Sequence, residues 1–174
     1  MVHSVEALFD VTTESTVRGL WDGLAAAGVP SQAGHTAPSN RPHVTLTVAA
    51  HMDDAVDAAL AALLDRLPLP CVIGAPMLFG GGRTVTLVRL VVPSAELLAL
   101  HAGVHHACLP HMSEGVLPHA DPGRWTPHVT LGRRIPPDLV PLALTVPGIA
   151  GDIEGELTAL RHWDGNAKQE HWIT

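Results

Sequence analysis

Cysteine, lysine and long apolar runs are all scarce in this chain, and each scarcity excludes a class of protein. Two cysteines, Cys71 and Cys108, are too few and too far apart for a disulfide framework or a zinc knuckle. Both lie in apolar text and read as buried thiols. No apolar stretch reaches the roughly 18 uninterrupted residues that suggest a spanning helix, so no membrane contact is expected. The opening Met1-Val2-His3-Ser4 has neither the basic nor the apolar region of a secretory leader, and a cytoplasmic location is expected. Lys168 is the single lysine beside nine arginines, the usage of a GC-rich bacterial genome. A net charge of −7 argues against the broad basic face of a protein that coats nucleic acid, but it allows a nucleotide or a short oligonucleotide end.

What the chain does have is length and apolar content. Its 174 residues, 47% of them hydrophobic, can bury a substantial core, and one domain spanning residues 1–174, with two lobes, is expected. The most informative feature is a repeat. Pro-His-Val-Thr-Leu occurs at residues 42–46 and again at residues 127–131. Both copies are β-branched and apolar around a His-x-Thr core, and both read as strands.

Side chains alternate along a strand, which predicts His43, Thr45 and Thr47 on one face and Val44, Leu46 and Val48 on the other. In the second copy His128 and Thr130 share a face, with Val129 and Leu131 behind them. Two such strands side by side about a pseudo-two-fold axis would bring two imidazoles and two hydroxyls to one cleft. That set suits a phosphodiester: a neutral imidazole takes a proton from the attacking group while a protonated one gives a proton to the leaving oxygen. The hydroxyls hold the non-bridging oxygens as charge develops there.

The paired His-x-Thr-x motifs, each ending in an apolar residue, resemble the 2H phosphoesterase superfamily, in particular its bacterial branch named after 2′-5′ RNA ligase. The resemblance implies an α+β fold of two pseudo-symmetric lobes, with two antiparallel sheets facing a central groove and helices outside. It also implies activity without metal or other cofactor on 2′,3′-cyclic phosphates, 2′-5′ linkages or related cyclic phosphoesters of nucleotides or RNA ends. It carries over to His43 and His128 as the acid–base pair and to Thr45 and Thr130 as phosphate-orienting residues. By the same resemblance His128 activates water and His43 protonates the leaving ribose oxygen. Arg133 follows the second motif as an arginine often does in the family, although strict alternation turns it away from His128. A monomer is expected. The alternatives are a non-catalytic module that grips a nucleotide or RNA end with the same residues, and a histidine-rich metal hydrolase.

Several other groups invite a functional reading. His101 and His105 have an i,i+4 spacing that zinc uses, with His106, His111 and His119 nearby, but no His-Glu-x-x-His pattern accompanies them. They are expected to line or flank the groove. Arg41 and Arg124 precede the motifs and either reach a substrate phosphate or remain solvated. Trp125 offers a stacking surface for a base or, alternatively, a plug between loop and lobe. Trp21, Trp163 and Trp172 carry no functional signal. The tip Gly80-Gly81-Gly82-Arg83 lacks the ending of a phosphate-binding loop and reads as a hairpin turn.

Around these groups the text predicts strands over 5–9, 71–79, 84–92, 155–163 and 170–173 and helices over 12–27, 53–67 and 94–108. Loops over 30–42 and 110–127 deliver the chain to the two motif strands.

Overall fold

The computed structural model describes residues 2–174; Met1, part of the leader argument above, lies outside the described residues. The chain forms β1 (His3–Phe9), α1 (Val11–Ala26), β2 (His43–Ala49), α2 (Val56–Ala61), β3 (Leu69–Phe79), β4 (Val85–Val91), α3 (Ala95–Cys108), β5 (His128–Ile135), α4 (Val140–Ala143), β6 (Ile153–Asp164) and β7 (Gln169–Trp172). The fold is α+β, as expected.

Every pairing in the sheet is antiparallel, in the order β2-β1-β6-β3-β4-β5, with β7 added to β6. The expected pair of sheets is present as two halves of one seven-stranded sheet. The join is the long β6, whose first part pairs with β3 and whose remainder pairs with β1. The two motif strands end the path and come back into contact with each other.

One apolar cluster runs through both halves. It takes Val5 and Ala7 from β1, Val44 and Leu46 from β2, Val129 and Leu131 from β5, and Leu20, Leu24, Leu97, Leu100 and Val104 from α1 and α3. The helices begin where the chemistry allows: the Asp10 carboxylate accepts from the Thr13 N–H, and the Ser94 hydroxyl accepts from the Leu97 N–H. Arg89, fully buried on β4, donates to the carbonyls of Ile73, Gly74, Gly148 and Gly151 and so pins the irregular stretch of β3 to the loop before β6.

The helix expected over 53–67 is mostly absent. Only Val56–Ala61 is α-helical, followed by a single tighter turn at Leu64–Arg66. The aspartates near its start have other partners: Asp53 accepts from the Ala55 N–H and from His111, and Asp57 meets His162 and His171. The alanines therefore lose a capped start, and the chain turns away to enter β3.

Candidate active site

Each motif strand carries a bulge at the same place. Glu6 pairs with Thr45 but Val5 pairs with Thr47, leaving Leu46 as the extra residue. Likewise Val88 pairs with Thr130 and Leu87 with Gly132, leaving Leu131 extra. An extra residue reverses the alternation beyond it. Two expectations change as a result. Thr47 leaves the polar face and is buried, and Val48 takes its place in the cleft. Arg133, expected to face away, instead lines the cleft with His43, Thr45 and Thr130.

The two imidazoles are held alike. The Nδ1–H of His43 donates to the carbonyl of Arg41 at 2.6 Å, and that of His128 to the carbonyl of Thr126 at 2.7 Å. A carbonyl only accepts, so each ring keeps its proton on Nδ1 and leaves Nε2 free for chemistry. The motif backbones are held alike as well: Trp125 donates to the Thr45 carbonyl at 2.9 Å, and Trp21, on α1, donates to the Thr130 carbonyl at 3.0 Å.

The surroundings of the two rings differ. Beside His43, the Glu6 carboxylate lies 3.6 Å from Nε2. Burial opposes the charge on Glu6, but His43, Arg161 and the Ser4 hydroxyl outweigh it and hold this carboxyl below its ordinary range. Arg161 reaches Glu6 at 2.7 Å and Glu170 at 2.8 Å. His128 instead meets the edge of Phe79, with ring centroids 4.8 Å apart. Burial pushes the His128 imidazole below its ordinary value of 6.5; the Thr126 carbonyl opposes this, and the charges of His43 and Arg133 add to it.

The cleft has two arms that share Thr45 and Val48. The His43 arm, about 490 Å³, includes Glu6, Arg41, Arg133, Arg134 and Arg161 in its wall. The His128 arm, about 540 Å³, includes Phe79, Gly80, His119, Arg124 and Trp125. Of the arginines weighed from sequence, Arg41 is occupied by Glu14 at 3.3 Å and lies over Trp172, while Arg124 lines the cleft. Trp125 is less open than expected, because His101 stacks on its ring at a centroid distance of 3.9 Å. That His101 is buried and donates from Nε2 to the Ala120 carbonyl, which takes it out of the metal arrangement considered above. Among the described residues, no three metal-ligating side chains converge.

Glu6, Arg161, Trp21 and Trp163 were not singled out from sequence, yet all four line the His43 arm. A signal existed for Glu6, the single acidic residue in a largely apolar strand.

Residues 14–161 match the family model of the 2′-5′ RNA ligase superfamily. The chain belongs to that superfamily, whose members are 2H phosphoesterases. Its fold is similar to that of TT0787 of Thermus thermophilus, at 14% identity and a TM-score of 0.62, over 100% of this chain and 96% of that one. It is similar to E. coli LigT complexed with 3′-AMP, at 16% identity and a TM-score of 0.59, over 99% and 94%. It also matches Kluyveromyces marxianus Usb1 with uridine monophosphate, at 9% identity and a TM-score of 0.53, over 99% and 97%. No curated protein matches the sequence. No helix among the described residues is long and apolar enough to cross a membrane.

Proposed function

We propose that this 2H phosphoesterase is a metal-independent phosphodiesterase acting on 2′,3′-cyclic phosphate, 2′-5′ linked or related cyclic phosphoesters of nucleotides or RNA ends. The observation that carries the reading is the matched anchoring of His43 and His128, which frees both Nε2 atoms while giving the rings opposite electrostatic surroundings. His128, kept neutral, takes a proton from water as the water oxygen attacks phosphorus. His43, whose Nε2 faces the Glu6 carboxylate, delivers a proton to the ribose oxygen as its bond to phosphorus breaks. The cycle leaves His128 protonated and His43 neutral, and proton exchange with solvent restores both. Thr45, Thr130 and Arg133 hold the non-bridging oxygens, with Arg133 supplying charge.

The nucleotides named in the LigT and Usb1 structures, 3′-AMP and uridine monophosphate, support a nucleoside monophosphate as the central element of the substrate. The test is a screen of 2′,3′-cyclic nucleotides, ADP-ribose cyclic phosphate and 2′-5′ linked dinucleotides in the presence of a chelator. Turnover of at least one is expected. Tight binding of these compounds with no turnover of any would replace the enzyme by a binding module.

A further inference from the structure

The shared bulge lets the two halves of the cleft be aligned residue by residue. His43, Thr45, Thr47 and Val48 correspond to His128, Thr130, Gly132 and Arg133, so the chemistry is duplicated while the flanking residue changes from valine to arginine. The cleft is thereby polarised. Its His128 arm is walled largely by apolar and aromatic groups such as Phe79 and Trp125, with Arg124 as its one arginine, and its His43 arm carries four arginines, Arg41, Arg133, Arg134 and Arg161.

Two of those cations are unusual. On a regular strand Arg133 and Arg134 would point to opposite faces. Here Thr86 sits opposite both, in a second irregularity between the pairs Val85–Ile135 and Leu87–Gly132, and Arg134 has a left-handed backbone with φ of 56°. A bulky residue rarely adopts that conformation, and its effect is to bring both guanidiniums to the same wall. Both also line an adjoining recess that includes Gln32 and His35 and whose wall contains no acidic side chain. Among the described residues neither arginine forms an ion pair, whereas Arg41 and Arg161, the other two arginines of that arm, both do. In a chain of net charge −7, two adjacent unpaired cations held on one wall concentrate a positive field there.

We propose that Arg134, with His35 and Gln32, forms a second anion subsite on the His43 side of the scissile phosphate, beside the Arg133 that holds that phosphate. The substrate then carries a second phosphate: its base occupies the arm walled by Phe79 and Trp125, and the additional phosphate reaches Arg134. A 5′-phosphorylated mononucleotide and the next phosphate of an oligonucleotide supply the same chemistry. The placement of the scissile phosphate rests on the function proposed above.

Calorimetric titration with adenosine 3′-monophosphate and adenosine 3′,5′-bisphosphate tests the subsite without requiring turnover. The wild type should prefer the bisphosphate by about tenfold or more, the size of one hydrogen bond to a charged group. Arg134→Asn, which removes the charge with a residue that tolerates the left-handed region, should abolish the preference while leaving monophosphate affinity unchanged. Equal affinities in the wild type, or a preference that survives Arg134→Asn, would overturn the subsite alone. Failure of both nucleotides to bind would remove the proposed function with it. Between the two sources, a kcat/KM gain from a 5′-phosphate on a cyclic mononucleotide identifies a nucleotide substrate, and a gain seen only with a dinucleotide bearing the same cyclic end identifies an oligonucleotide.

Discussion

The indole of Trp21 donates to the main-chain carbonyl of Thr130 at 3.0 Å, joining α1 in the first half of the chain to the motif strand in the second. Trp125 repeats the arrangement in the opposite sense, reaching the Thr45 carbonyl at 2.9 Å. Both carbonyls belong to strands at the ends of the sheet order, where no further strand pairs with them. Each half of the molecule thus positions the threonine of the other.

Trp21→Phe and Trp125→Phe keep an aromatic ring but leave a carbonyl without its donor. Loss of such a bond from a partly buried carbonyl costs about 1–3 kcal/mol. Melting temperatures should fall modestly, and kcat should fall further than the stability loss explains, because the strand that carries the threonine is no longer fixed. Unchanged kcat per folded molecule in both variants would contradict the positioning role.

The hydroxyls themselves are tested by Thr45→Val and Thr130→Val, which preserve shape and strand propensity. Each removes a hydroxyl proposed to hold the phosphate, so catalysis should drop by about tenfold or more with little change in thermal stability. A collapse in melting temperature with intact specific activity would instead assign these residues to the core.

Much of this arrangement is legible in the text of the chain. The Pro-His-Val-Thr-Leu repeat gives two matched half-sites, and β-branched alternation gives their strands. The bulges are not legible, because a bulge is defined by the partner strand, and β1 and β4 reveal nothing about register until they pair with β2 and β5. That is why Thr47 reads as a cleft residue and Arg133 as an outward one. Tertiary contacts hide the rest. The ion pair of Glu6 with Arg161 joins residues at opposite ends of the chain, and the helix expected over 53–67 fails because its aspartates meet histidines from distant segments.

Acid should destabilise the fold in a defined window. Burial lowers the imidazoles of His3, His101, His105 and His128 below 6.5. A histidine lowered in the folded state binds its proton more tightly when unfolded, so its contribution is complete above 6.5 and is lost as pH falls through the folded value. Calorimetric melting temperatures should be flat between about pH 7 and 8 and should decline below about 6.5. A melting temperature that rises on acidification from pH 7 to 5.5 would show that these rings gain charge on folding.

Gly132 tests the link between β5 and the loop before the first motif. A Cβ at this position would collide with the carbonyl of Pro30. Gly132→Ala should therefore destabilise the protein by about 1–3 kcal/mol through overpacking, displacing Arg133 and Thr130 as it does so. A variant with wild-type melting and activity would show that the loop yields freely.

The acid–base pairing of His43 with His128 is tested most directly by the pH dependence of kcat/KM for a cleaved cyclic phosphate, measured in a chelator on the wild type, His43→Ala and His128→Ala. The wild type should give a bell whose two limbs belong to the coupled pair, with the acid limb below 6.5 because His128 is lowered. Each alanine variant should melt like the wild type and lose about two to four orders of magnitude in rate. A rate that climbs steadily with pH and disappears on chelation, or near-full activity in both variants, would contradict the two-histidine mechanism.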